Sequence, residues 1–220
     1  MDPITDYLID FESLNTVENA ILVEFSIIPF IMDPSNTPNF NELVACGKKF
    51  KFNIKSQKYL GRTYSQSTLA WWKKQGDAAK LLLKPSSEDK SLYESAEELR
   101  QFFLDTGVKF KKSHIWTRGE MDVVWLRSWF SCVYHLKDDE VTDNMPVMFN
   151  NFREVRTAIE SNLSRDVTYC PLPVGSLPGF TKHNSLHDAA RDVMMLLYSK
   201  RYSYGLEPIP TDVDPNSQRG

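Results

Sequence analysis

An α/β fold, a mixed five-stranded sheet flanked by helices, is predicted from three observations. Three strand-like apolar runs come first, at Tyr7 to Phe11, Ala20 to Met32 and Lys49 to Lys55. Segments of helical period then alternate with two shorter strand-like runs. The chain has 220 residues, 41% apolar and 25% charged, which suits one compact domain with a sizeable core and excludes wholesale disorder. Strands first and βα alternation afterwards imply a sheet of mixed direction with helices on both faces.

Each element follows from local chemistry. Tyr7 to Phe11 reads as a short buried strand. Ala20 to Met32, rich in Ile, Val and Phe, reads as a longer one closed by Asp33-Pro34-Ser35-Asn36. Lys49 to Lys55 alternates Lys with Phe50, Phe52 and Ile54, the period-two pattern of a half-exposed third strand. Ser67-Thr68 leads into a helix through Trp71, Trp72 and Gln75. Between Ser91 and Thr106, Leu92, Ala96, Leu99, Phe102 and Phe103 recur near a 3.6-residue spacing. His114 to Thr117 is the fourth strand, with a helix after it from Asp122 to Tyr134. Val147 to Phe149 is a weak fifth strand, and Arg153 to Asn162 a further helix. Past a loop from Pro171 to Gly179, the last helix runs from Leu186 to Tyr202. Residues 1–206 make up the domain, and 207–220 form a polar, Pro-rich tail expected to fray.

The net charge of −3 conceals an uneven distribution. No acid occurs between Leu43 and Gly76, whereas Lys48, Lys49, Lys51, Lys55, Lys58, Arg62, Lys73 and Lys74 do. Phe50, Phe52, Tyr59, Tyr64, Trp71 and Trp72 are interleaved with them. Cations neutralise phosphate and flat rings stack on unpaired bases, so the stretch suits single-stranded nucleic acid; a solvated basic face over core aromatics is the alternative. Cys46, Cys132 and Cys170 form no CxxC pair, which argues against a disulfide framework or thiolate zinc site and favours a cytoplasmic location. The longest apolar run is broken by Glu24 and Pro29, so no membrane span is expected, and the acidic start, with Asp2 and Asp6, predicts no secretory leader.

Asp10 and Glu12 leave the same face of the first strand, about 6–7 Å apart, and two carboxylates there are costly to bury without a cation. Hard oxygen ligands suit Mg²⁺ or Mn²⁺. Asp122 stands where the fourth strand gives way to a helix; it is equally a good helix cap, and Glu120 competes with it. Ser185-Leu186-His187-Asp188 can form a capping box. His187 and Asp192, five positions apart, would be separated on a helix by about 140° and 7–8 Å, close enough to flank one site. His183 with Asp188 repeats that spacing. His183 and His187 at i, i+4 would suit zinc only if both were helical, and no third ligand is evident.

Taken together, Asp10-Phe11-Glu12, Asp122 after a strand, and His187-Asp188-Ala189-Ala190-Arg191-Asp192 resemble the three signature motifs of the DEDDh 3′–5′ exonucleases, a ribonuclease-H-like family. The last fits His-x-Ala-x-x-Asp with Ala189 at the small position, which favours the His187/Asp192 register. The stretches IDFES, TLAWWKKQ, REVRTAIE, TYCPLPVGSLPGF and HNSLHDAARDVMMLLYSKRYSYGLE are similar to exonucleases of T-even-type bacteriophages, from Tyr7 to Glu207. Met121 stands where relatives usually place Phe before the second-motif Asp.

The resemblance implies hydrolysis of single-stranded DNA from its 3′ end, with two Mg²⁺ or Mn²⁺ ions and nucleoside 5′-monophosphates as products. Asp10 would bridge both ions, Glu12 and Asp192 would complete one site and Asp122 the other, with His187 as general base for water. Leu14 and Asn15, just after the first motif, would line the 3′-terminal nucleotide. Trp72 and Gln75, at i, i+3 on one helix face, are expected to stack and hydrogen-bond near the scissile end, with Trp71 buried. Arg153 and Arg156 either clamp phosphate or form surface ion pairs. The alternatives are a 3′–5′ exoribonuclease and a non-catalytic single-strand-binding module.

Overall fold

The computed structural model describes residues 3–163 and 168–218. Its single sheet has the order β3-β2-β1-β4-β5. Strands β1 (Thr5–Ser13), β2 (Leu22–Ile31) and β3 (Lys48–Lys51) are antiparallel neighbours, and β4 (Ile115–Thr117) and β5 (Phe152–Glu154) continue the sheet in parallel with β1. The helices are α1 (Phe40–Cys46), α2 (Ile54–Tyr59), α3 (Gln66–Lys73), α4 (Asp77–Leu81), α5 (Leu92–Asp105), α6 (Met121–Tyr134), α7 (Asp138–Val141), α8 (Val155–Leu163) and α9 (Ser185–Ser203).

Strand alternation divides the core between the two faces of the sheet. Tyr7, Ile9, Phe11, Phe25, Ile27 and Phe50 face α5 and α6, where they meet Leu99, Phe103, Trp125 and Trp129. Leu8, Ile28 and Phe30 face the other way, against Phe40 and Leu43 of α1, Val155 and Ile159 of α8, and Ala189, Val193 and Leu197 of α9. A smaller cluster of Leu14, Ile21, Val23, Trp72 and Ala79 seats α3 and α4 on the β1–β2 turn.

Three expectations are corrected. The third strand stops at Lys51 because Asn53 caps α2, its side chain accepting the Ser56 N–H, so Ile54 turns helical. The fifth strand lies at Phe152–Glu154, not Val147 to Phe149: Asn151 donates through its side chain to Ser113 O, setting Phe152 opposite Ile115, while Val147 is buried in the core. The segment expected to fray is anchored at residues 213–217. Asp214 N–H donates to Leu172 O at 2.8 Å, Val213 bridges to Pro173, and Asp214 and Ser217 are buried. Helix α1 was legible in principle, since Asn39 and Glu42 form a capping box.

Candidate active site

Asp10 and Glu12 share the face of Leu8 and so point from the C-terminal half of β1 toward α9. β4 accompanies β1 only as far as Leu8 and Trp116, and beyond that the N–H of Phe11 donates to Asp122 Oδ1 at 3.2 Å. Asp122 is thereby held beside Asp10 from the first turn of α6, and it is buried, whereas Glu120 is exposed. The N-terminus of α9 is pinned to β2. Glu24 accepts from both the backbone N–H and the hydroxyl of Ser185, at 3.0 and 2.8 Å, and Ser26 and Ser185 hydroxyls lie 2.6 Å apart. This brings Asp188, in the first turn of α9, over the acids of β1.

His183 precedes the helix with a left-handed φ of 61°, and its backbone N–H donates to Asp188 Oδ2 at 2.9 Å. The turn folds its ring back so that Nδ1 lies 3.8 Å from Glu12 Oε1. Glu12, His183 and Asp188 each offer one ligand atom within 4.8 Å of the others. They line a cavity of about 430 Å³ together with Asp10, Asp192, Trp71, Gln75, Arg118, Tyr169, Lys182, Arg191 and Gln218.

The electrostatics are unfavourable as they stand. Burial, then Asp122, Asp188, Glu12 and Asp192, pushes the Asp10 carboxyl well above its usual range. Burial, then Asp188, Glu24 and Asp122, does the same to Glu12. Asp122 rises to about 8, chiefly through burial, and Asp188 to about 6 for the same reason, partly offset by Arg191. Four acids that resist ionisation together, yet consist of hard oxygen donors, fit a divalent cation.

A family model for the Rv2179c-like 3′-5′ exoribonuclease domain matches residues 5–199. The chain belongs to this family. It is 37% identical to the exodeoxyribonuclease of Enterobacteria phage T4 over 216 residues, 94% of each chain. Its fold is shared with E. coli exonuclease I, solved with single-stranded DNA and zinc, at a TM-score of 0.53 and 12% identity over 94% of this chain and 42% of that one. The chain thus spans less than half the length of exonuclease I. S. pombe Pop2p, solved with Mg²⁺ and Mn²⁺, superposes with a TM-score of 0.51 at 11% identity, over 93% of this chain and 84% of that one. The chain is an exonuclease of ribonuclease-H-like fold.

In this exonuclease Asp10, Glu12 and Asp122 converge as the sequence led us to expect, but His187 does not reach them. Its ring packs against Phe40 and Phe180, with centroids 5.3 and 6.3 Å away, and its Nδ1 accepts the Thr181 N–H. The reason is helical rotation: His187 sits about 100° round the axis from Asp188 and faces α1. Asp192 lines the cavity but is committed to Arg118, whose Nε donates to Oδ2 at 2.7 Å. Its buried Oδ1 has no hydrogen-bond partner and lies 3.6 Å from Arg191 Nε.

The tryptophans exchange their expected places. Trp72 is fully buried and donates its indole N–H to Ser13 O at 2.9 Å, whereas Trp71 is 40% exposed and meets the His183 ring edge-on at 4.8 Å. Gln75 lines the cavity, its side chain donating to Trp71 O at 3.1 Å. Leu14 is instead a core residue beside Trp72, and Asn15 donates to Thr63 Oγ1. Arg156 pairs with Glu154 at 2.8 Å, and Arg153 donates to the carbonyls of Asn150 and Phe152. Sequence reasoning missed Arg118, Tyr169, Lys182, Arg191 and Gln218. Lys182, adjacent to His183, and Arg191, inside the last motif, carried a local signal.

Proposed function

We propose that the chain is a metal-dependent 3′–5′ exonuclease of single-stranded DNA that releases nucleoside 5′-monophosphates, using Asp10, Glu12, Asp122 and Asp188 as cation-holding acids and His183 as general base. One observation carries the reading: four carboxyl groups from β1, α6 and α9 are forced together beside one imidazole, and Asp10, Glu12, Asp188 and that imidazole line one cavity. A pair of Mg²⁺ or Mn²⁺ ions held by these acids would supply the charge that stabilises the attacking and leaving oxygens of phosphodiester hydrolysis. The protein's own part is positional. Burial, then Lys182 and Arg191, lowers the pKa of His183, keeping its imidazole neutral near pH 7 and ready to take a proton from water. Asp188 fixes the backbone of His183, and Lys182 brings positive charge for the substrate phosphate. Asp192 acts through Arg118 as a positioning residue. The phage relative favours DNA as substrate and an infected bacterial cytoplasm as the setting. The family description favours RNA as the second reading.

The test pairs the two histidines. With Mg²⁺ or Mn²⁺ present, His183→Ala should lose at least about a hundred-fold in turnover of single-stranded DNA, the scale of a general base, while His187→Ala trims normally at a temperature where it is folded. The reverse pattern would restore the His187/Asp192 register. Matched DNA and RNA strands, with EDTA as control, decide the sugar.

A further inference from the structure

The basic stretch from Lys48 to Lys74 does not act as one surface. Lys48 pairs with Glu98, Lys49 with Glu24 and Lys51 with Asp89, while buried Arg62 donates to Ala20 O at 2.8 Å and feels Glu18. Among the described residues no ion pair holds Lys55, Lys58, Lys73 or Lys74, and all four are exposed. The acid next along the chain, Asp77, is paired with Lys80. The free cations therefore concentrate on α2 and α3.

The exposed rings fall on or between the same two helices. Tyr59, at the end of α2, is 92% exposed, Tyr64 precedes the Ser65 cap of α3, and Trp71 lies on its last turn. Lys58 Nζ stands 5.3 Å from the Tyr64 ring centre, which joins the end of α2 to the start of α3. Tyr64 stands just before the cap of α3 and Trp71 on its last turn, so the two rings bracket the helix. The platform is tied down: Gln57 bonds both backbone groups of Leu22, Thr63 N–H donates to Asn19 O, and Ser65 N–H donates to Leu14 O. A second cavity, bordered by Thr16, Ser67, Thr68 and Trp125, shares Glu12 and Trp71 with the catalytic one, so the face of α3 is continuous with the site.

We propose that Lys55, Lys58, Tyr59, Tyr64 and Trp71 form a track for the single-stranded stretch of substrate that leads away from the scissile end. It rests on the nuclease reading above and adds the path. Rings that stack on any base and cations that meet any phosphate hold a strand without reading its sequence. The track should make affinity depend on strand length.

The experiment compares the intact chain with Lys55→Glu/Lys58→Glu, Tyr59→Ala/Tyr64→Ala and, as a charge-matched control outside the track, Lys111→Glu/Lys112→Glu. Each is assayed with Mg²⁺ on a trinucleotide and on a strand of about twenty nucleotides, and each is titrated with labelled strand over a range of salt. The lysine pair should flatten the log K against log salt slope by about 1.4, roughly 0.7 for each phosphate that is no longer neutralised. The tyrosine pair should raise KM for the long strand about five-fold or more relative to the trinucleotide. The control should do neither. Slopes and length ratios indistinguishable from those of the unaltered chain would overturn the track. If the unaltered chain trims nothing, the nuclease reading fails, and the salt slope of binding still decides the track.

Discussion

Trp72 is fully buried, and its indole N–H is satisfied by Ser13 O, so this side chain belongs to the packing of α3 on the β1–β2 turn. Truncation there removes a large core volume and takes the indole donor from the part-buried Ser13 carbonyl. Trp72→Ala is expected to cost about 3–5 kcal/mol, read by chemical denaturation. Trp71→Ala exposes little and should leave the denaturation midpoint almost unchanged while raising KM, because its ring borders both cavities and meets His183. A shared stability loss in the two variants would contradict this division.

Elements rather than single contacts hold the loop that delivers His183. The stretch from Val213 to Ser217 lies against Pro171 to Leu177. Asp214 accepts the Leu177 and Asn216 N–H groups, Ser217 Oγ accepts from Leu172, and Gln218 ends at the cavity wall. Asp214→Ala would strand both donors and release the loop. Its expected effect is a loss of about 1–3 kcal/mol in stability. At a temperature where the protein remains folded, kcat should also fall, because His183 loses its fixed place; partial recovery of kcat in Asp214→Asn would distinguish positioning from general damage. The opposite end of that loop is fixed by the Ser185 contacts to Glu24, which set where α9 begins.

Across the whole molecule, the acid cluster couples stability to pH and to cations. The folded state raises the carboxyl pKa of Asp122 to about 8 and of Asp188 to about 6, against an ordinary Asp value near 3.9. A group raised on folding binds more protons in the native than in the unfolded chain, so its favourable contribution is full below the unfolded pKa. It is lost as pH rises through the folded value. In EDTA the melting temperature should therefore fall between about pH 5 and pH 8. Mg²⁺ or Mn²⁺ should raise it, and more so at about pH 8 than at about pH 5, because protons compete less with the cation for the acids. A cation effect independent of pH would place binding outside the cluster. Among the described residues no helix is long and apolar enough to cross a membrane.

The sequence by itself determined the longer strands and helices, the mixed sheet and the shared face of Asp10 and Glu12, because the period of two along a strand is a property of the local backbone. The short helices α2, α4 and α7 and the place of β5 were not legible there, and α1 only through its capping box. The capping signals misplaced both helix starts by a residue or two: Asn184, not Ser185, caps α9 by accepting the Leu186 N–H, and α6 follows Glu120 without a side-chain cap, Asp122 lying inside its first turn. Only the tertiary structure chose between two equally spaced His–Asp pairs and between two adjacent tryptophans. The adjacent tryptophans differ by a rotation of about 100° about the α3 axis. His187 is carried round α9 toward α1, whereas His183, in a left-handed turn ahead of that helix, is folded back toward Glu12. Both outcomes are set from far away in the chain. Glu24 and Ser26 fix α9, and Ser13 O receives the Trp72 indole on α3. Periodicity shows that a helix has a buried face; which residues turn inward depends on the partners that folding brings to it.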